Sequence, residues 1–167
     1  LKNERLFADC TDGFGLIRDV EENLKISLKN KKILILGAGG AARGIIPSII
    51  EKNPAKLKIA NRTESKAFSL KADLEDKVDL KKQNLIFEAG SLLDDFLLTD
   101  SYDLVINSTS VSTQIGESLG LPKALFSGTK LAYDLFYADE KTVFMQDALA
   151  GGAEKVSDGW GMLVEQG

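Results

Sequence analysis

The sequence predicts a doubly wound α/β fold, a parallel sheet with helices on both faces, and three observations carry that expectation. Ile33-Leu34-Ile35-Leu36 is a short unbroken apolar run, the pattern of a parallel strand buried on both faces. It stops at Gly37-Ala38-Gly39-Gly40-Ala41-Ala42, after which Ile45, Ile46, Ile49 and Ile50 fall on one side of a helix. Strand and helix patterns then keep alternating with short connections, which argues for right-handed crossovers into a single parallel sheet.

The elements follow in order. Thr11 or Asp12 is a good N-cap for a helix in which Phe14, Leu16, Ile17, Val20 and Leu24 recur at helical spacing up to about Lys25. On spacing alone an Asp at this position is a cap. The first strand and the glycine turn come next, then a second strand from Leu57 to Ala60 and a helix from Glu64 to Leu74. Lys77 to Asn84 reads as a polar connection, Leu85-Ile86-Phe87 as a third strand, and Ser91 to Leu98 as a short helix capped by Ser91. The fourth strand, Tyr102 to Asn107, runs into a hydroxyl-rich tip, Ser108-Thr109-Ser110. Ligands of open α/β sheets bind beyond the carboxyl ends of strands, so Thr109 and Ser110 are candidates for touching a cofactor; the same residues also make an ordinary solvated Ser/Thr turn. A loop from Ser112 to Thr129 leads to a fifth strand, Lys130 to Phe136, which delivers Tyr137. Thr142 to Leu149 is helical, Gly151-Gly152 closes it, and Lys155-Val156-Ser157 reads as a sixth strand.

The glycine turn has a chemical reading. In a strand–turn–helix of this kind Gly37 permits the tight turn, Gly39 lets the backbone approach a pyrophosphate, and the N–H groups opening the helix face the negative charge. Ala42 stands for the third glycine of the dinucleotide fingerprint, where a methyl still allows close packing of helix on strand. The fold expected is therefore Rossmann-type. The second strand ends at Asn61-Arg62-Thr63, where such a fold reads the adenosine ribose. A carboxylate there would select the 2′-hydroxyl of NAD, whereas Arg62 can grip a 2′-phosphate with two charge-assisted hydrogen bonds, so the expected cofactor is NADP.

Composition bounds the rest. The 167 residues make one domain, 1–167, with a real core. The 25 acidic and 21 basic side chains give a net charge of −4 and are interspersed, which supplies neither a nucleic-acid footprint nor a membrane-attracting patch. No apolar run approaches the ~18 residues that span a bilayer, and no signal-peptide core follows the charged first residues. A single cysteine, Cys10, fits a reducing cytoplasm, and the absence of histidine makes a histidine base or a metal centre an unpromising expectation. Acid–base chemistry then falls to Asp, Glu, Lys or Tyr. The Tyr137-x-x-x-Lys141 spacing used by short-chain dehydrogenases is read as coincidence, because here it straddles a strand end and a polar turn rather than one helix. With Leu1 at its start, the chain is expected to be a piece of something longer.

Six segments in order resemble the shikimate dehydrogenase family. They are Cys10-Thr11-Asp12-Gly13-Phe14-Gly15, Gly37-Ala38-Gly39-Gly40-Ala41, Asn61-Arg62-Thr63-Glu64-Ser65-Lys66, Asn107-Ser108-Thr109-Ser110, Tyr133-Asp134-Leu135-Phe136-Tyr137, and the closing run from Asp158 to Gln166. The resemblance implies NADPH-dependent reduction of 3-dehydroshikimate to shikimate. It implies that Asp12 is the catalytic aspartate and a substrate ligand, that Thr11, Tyr137 and Gln166 are substrate contacts, and that Leu135 and Gly159 pack near the nicotinamide. It gives the glycine turn, Asn61, Arg62, Thr63 and Lys66 the rest of NADP. The resemblance covers the carboxyl-terminal part of such an enzyme, roughly 60% of it, and implies that the amino-terminal substrate domain, with the lysine that works beside the aspartate, lies on the missing part of the polypeptide. A homodimer is a candidate assembly. Cys10 and Ser112 depart from the family's asparagine and glycine. Two further readings stand beside the first: a shikimate/quinate enzyme with relaxed cofactor use, and a nucleotide-binding domain without catalysis.

Overall fold

The computed structural model describes residues 11–76, 84–93, 95–114 and 116–167. Cys10 and most of the polar connection before Asn84 lie outside them. The chain opens with α1 (Asp12–Arg18), which passes directly into a π-helical turn, Asp19–Asn23. β1 (Lys32–Leu36), α2 (Gly40–Glu51), β2 (Lys56–Asn61) and α3 (Glu64–Glu75) follow. β3 (Ile86–Ser91) and a 3₁₀ turn, Asp95–Thr99, lead to β4 (Leu104–Asn107). Two more 3₁₀ turns, Val111–Thr113 and Lys123–Phe126, precede β5 (Leu131–Asp134), α4 (Val143–Ala150), β6 (Val156–Ser157) and α5 (Trp160–Val164).

The six strands form one sheet in the order β3-β2-β1-β4-β5-β6, and every pairing is parallel. This is the doubly wound arrangement, and its order reverses between β1 and β4. The alternation of side chains along β1 divides the core in two. Ile33 and Ile35 pack with Leu16, Val20, Ile45, Ile49 and Leu70, under α1, α2 and α3. Leu34 and Leu36 face the other way, onto Leu97, Phe126, Phe144 and Ala148. Both faces are covered, one by long helices and the other by α4 and short 3₁₀ segments.

Three local expectations change. The helix expected to run to Lys25 turns π-helical at Asp19, because Asp19 and Asn23 bond each other and tie this turn to other elements rather than continuing the surface helix. Thr11 occupies the N-cap position of α1, yet its side chain accepts no cap hydrogen bond. The helix expected over Ser91 to Leu98 is the shorter 3₁₀ turn, since β3 extends through Ser91 to pair with Asn61; Ser91 Oγ accepts instead from Leu93 N–H at 3.0 Å. The helix expected from Thr142 begins at Val143, with Thr142 as its N-cap, the hydroxyl accepting from Met145 N–H at 3.2 Å.

Candidate functional site

The carboxyl ends of the six strands point to one edge of the molecule, and the strand order reverses between the paired strands β1 and β4, where this topology is expected to have its ligand crevice. Gly37 ends β1 with a φ of +106°, a conformation that glycine adopts without strain. Its N–H donates to Ala60 O at 2.8 Å, and a methyl there would come within 2.7 Å of Ser108 Oγ. Ser108 in turn donates through both N–H and Oγ to Leu36 O, at 2.8 and 2.7 Å. The tips of β1 and β4 are thus latched together at the reversal.

Gly39 and Gly40 differ in kind. Gly39 is the N-cap of α2 in extended backbone, φ −90° and ψ −165°, which any residue can adopt. A methyl on either glycine would meet nothing within 4 Å. The fold itself has no use for glycine at these two positions. The space it leaves lies over the first N–H groups of the 12-residue helix α2, which have no intrahelical acceptor. An anion with two or three acceptor oxygens fits a cradle of that kind. Ala42, by contrast, is fully buried against the sheet.

One strand away, Asn61 ends β2 and its Nδ2 donates to Thr63 O at 2.8 Å, folding the tip back on itself. Arg62, Thr63 and Lys66 are exposed around this turn. Among the described residues Arg62 makes no ion pair, so its guanidinium is available to an incoming anion. The neighbouring Arg43, on the second turn of α2, is committed to Asp73 of α3 at 2.9 Å.

The β4 and β5 tips hold a buried network without a counterpart in the sequence reading. Asn107 and Asp134 are fully buried. Asp134 accepts from Asn107 Nδ2, the Ser112 hydroxyl, the Thr142 hydroxyl and Phe136 N–H, at 3.1, 2.6, 2.7 and 3.2 Å. Burial pushes its carboxyl up, and these four donors oppose the shift. The Thr109 hydroxyl donates to Asn107 Oδ1 at 2.7 Å, so of the expected cofactor-facing pair Thr109 is engaged within the protein and Ser110 is exposed.

On the far side of the crevice, Gln166 Nε2 donates to Asp12 Oδ1 at 3.3 Å, bringing together two expected substrate residues 154 positions apart. Thr11 adjoins them at the start of α1, its carbonyl accepting from Gly15 N–H at 2.9 Å. Tyr137 lies beyond the end of β5, 47% exposed, with its ring edge-on to Trp160 at 5.8 Å and no contact to Asp12. Gly159 is needed for close approach, since a methyl would fall 2.2 Å from Leu135 O. α5, which carries Gln166 just past its end, lies against the π-helical turn. There Asn23 Nδ2 bridges Asp19 Oδ1 and Glu165 Oε1 at 2.9 and 3.1 Å, and buried Tyr133 donates to Asp19 Oδ2 at 2.7 Å. Burial and the adjacent carboxylate push the Tyr133 hydroxyl up, which keeps it a donor.

No group of three or more His, Cys, Asp or Glu side chains suited to a metal ion occurs among the described residues, and no helix among them is long and apolar enough to cross a membrane. A concavity of about 670 Å³ is lined by Ala138 to Lys141, Met145, Gln146 and Val156 to Asp158, at the β5–β6 end of the same edge rather than at the glycine turn.

Comparison with known proteins places this geometry. Residues 19–127 match the family described as shikimate / quinate 5-dehydrogenase. The chain is 44% identical over 164 residues to the NADP(+) shikimate dehydrogenase of Nitrosospira multiformis, covering 96% of this chain and 55% of the relative. It therefore spans about half the length of the curated relatives it matches. A shikimate dehydrogenase solved in complex with NADP+ superposes with a TM-score of 0.76 at 30% identity, over 93% of this chain and 52% of that one. The ligand-free 5-ketofructose reductase of a Gluconobacter strain superposes with a TM-score of 0.75, also at 30% identity, over 93% and 54%. With six motifs in order, the doubly wound sheet and a match over most of its length, this chain belongs to the shikimate / quinate 5-dehydrogenase family.

Proposed function

We propose that residues 1–167 are the NADP-binding domain of a shikimate dehydrogenase, working with an amino-terminal substrate domain of the same polypeptide in the reversible reduction of 3-dehydroshikimate to shikimate, a step of aromatic amino-acid biosynthesis, in the cytoplasm. The observation that carries the reading is the open space over Gly39 and Gly40 at the strand-order reversal, with the Arg62 guanidinium, which makes no ion pair among the described residues, one strand away. The helix N–H groups would take the pyrophosphate, and Arg62, with Asn61, Thr63 and Lys66, the 2′-phosphate. Ser110, Leu135 and Gly159, at the ends of β4 and β5 and before α5, would hold the second nucleotide.

When bound, NADPH supplies the hydride for the substrate carbonyl. The chain's own contribution is to orient and to hold a proton source. Asp12, one oxygen of which accepts from the Gln166 carboxamide, would pair through its carboxylate with the lysine expected on the substrate domain and accept from a substrate hydroxyl. Thr11 and Tyr137 complete the substrate side. Closure of the two domains would bring aspartate and lysine together and exclude water.

Arg62→Ala tests the cofactor assignment. Loss of a bidentate phosphate contact is expected to weaken NADPH by about 2–3 kcal/mol while leaving NADH nearly unchanged. Equal weakening of both, measured by fluorescence titration of the full-length protein, would overturn it. A second reading keeps the fold and changes the substrate. The similarity to a 5-ketofructose reductase favours it, because this half of the molecule is shared by an enzyme named for a different carbonyl compound. Assaying 3-dehydroshikimate, 3-dehydroquinate and 5-ketofructose in parallel separates the two.

A further inference from the structure

The network around Asp134 fixes its own proton inventory. Ser112 Oγ accepts from Asn107 Nδ2 at 3.0 Å, so its one hydrogen goes to Asp134 Oδ2. Thr142 Oγ accepts from Met145 N–H, so its hydrogen goes to the same oxygen. Asn107 Nδ2 spends one hydrogen on Ser112 and the other on Asp134 Oδ1, where Phe136 N–H also arrives. Every group facing Asp134 is placed as a donor, and the four of them match the four acceptor positions of a carboxylate. A proton on Asp134 would face a donor at each of them. The species that fits is the anion, closed off from solvent.

This enclosed charge ties together four segments that border the crevice: the tip of β4, the 3₁₀ turn after it, the segment leaving β5, and the first turn of α4. Ser112 is the member that closes the ring, since its hydroxyl alone bonds both Asn107 and Asp134. We propose that Ser112 and Asp134 are positioning residues for the nicotinamide half of the dinucleotide, holding the β4 and β5 tips in register so that Ser110 and Leu135 form one wall. The proposal rests on the NADP reading above. It assigns to Ser112, where the family pattern has glycine, a task in cofactor binding that is separate from the phosphate anchors.

Two ligands of the full-length protein distinguish these levels: NADP+, which fills both halves of the crevice, and adenosine 2′,5′-bisphosphate, which reaches only the β1–β2 side. In Ser112→Ala, the loss of one donor to a buried carboxylate is expected to weaken NADP+ about tenfold and leave the bisphosphate unchanged, with Ser112→Thr, which keeps the hydroxyl, close to the parent. Unchanged NADP+ affinity in Ser112→Ala, or equal loss of both ligands, would overturn the proposal while leaving the NADP reading intact. A parent protein that binds neither ligand would overturn both. If Ser112→Ala does not fold, Ser112→Thr decides alone: parent-like selectivity between the two ligands supports the proposal, and parent-like bisphosphate binding with weakened NADP+ refutes the hydroxyl's role.

Discussion

At the scale of single residues, the glycines of the first turn separate what the fold needs from what a ligand needs. Gly37 is held at positive φ against Ser108, so Gly37→Ala is expected to destabilise the protein by about 1–3 kcal/mol. Gly39 adopts an ordinary extended conformation with open space where a methyl would go. Gly39→Ala should therefore leave stability within about 0.5 kcal/mol of the parent, because the methyl touches no protein atom. It should weaken NADP(H) by at least about tenfold, because the methyl occupies the approach to the helix N–H groups. Urea denaturation and ligand titration on the same two variants check both halves. A Gly39→Ala protein that binds NADPH as well as the parent would mean that the phosphates lie elsewhere. Much of this site was legible in the sequence, since a turn that needs glycine announces itself by its spacing. The Asp134 network was not, because its members, Asn107, Ser112, Asp134 and Thr142, come from four segments and meet only when β4 and β5 pair.

At the scale of elements, β2 shows why strand reading falters where a side chain is both charged and buried. Lys56 and Lys58 alternate with Leu57 and Ile59, a pattern that reads as a solvated face opposite an apolar one. Lys58 is nevertheless 1% exposed. Its ammonium meets Asp100 Oδ2 at 2.8 Å, donates to Thr99 Oγ1 at 2.5 Å and lies 4.4 Å from the centre of the Phe96 ring. Asp100 also binds Lys56 at 2.7 Å and Lys32 at 3.5 Å. The burial of Lys58 depends on the 3₁₀ turn folding over β2, a long-range contact that no local pattern encodes. The partners are unequal. Asp100→Ala leaves the buried Lys58 ammonium only the longer, half-exposed Glu88 pair at 3.4 Å and is expected to cost about 2–3 kcal/mol, whereas Lys58→Met leaves Asp100 its Lys56 partner and should fall within about 1.5 kcal/mol of the parent. Burial acts to raise the Asp100 carboxyl, but the hydrogen bonds and charges of Lys56 and Lys58 outweigh it and hold the group well below the usual carboxylate range. A depressed folded-state value means that this stabilisation is present in full above the unfolded carboxyl's pKa of about 3.9 and is lost as the pH falls below it. Acid unfolding of Asp100→Asn should accordingly show a shallower dependence on pH below about 4 than the parent does.

At the scale of the whole molecule, the proposed function puts two kinds of chemistry at one edge of the sheet, the second to be completed by another domain. On the proposed reading the dinucleotide side, from the glycine turn to Arg62, would be formed within this chain. On that reading the substrate side is a single carboxylate, Asp12, which accepts from Gln166. A carboxylate on a helix start can orient a base or accept a hydroxyl, but it cannot by itself deliver a proton to a ketone oxygen at neutral pH. The curated relatives are nearly twice as long, and on the proposed reading the lysine that works with Asp12 would lie on that further part. Residues 1–167 alone are thus expected to bind NADP(H) and to show no shikimate-dependent NADP+ reduction. In the full-length protein, Asp12→Asn keeps the shape and the Gln166 contact while removing the charge that orients the lysine. Its kcat is expected to fall by about 10²–10⁴, with the affinity for NADPH unchanged because the dinucleotide anchors lie across the crevice. Steady-state rates and NADPH titration on that one variant separate the two sides of the site. A fall in NADPH affinity equal to the fall in kcat would show that Asp12 serves the cofactor rather than the substrate.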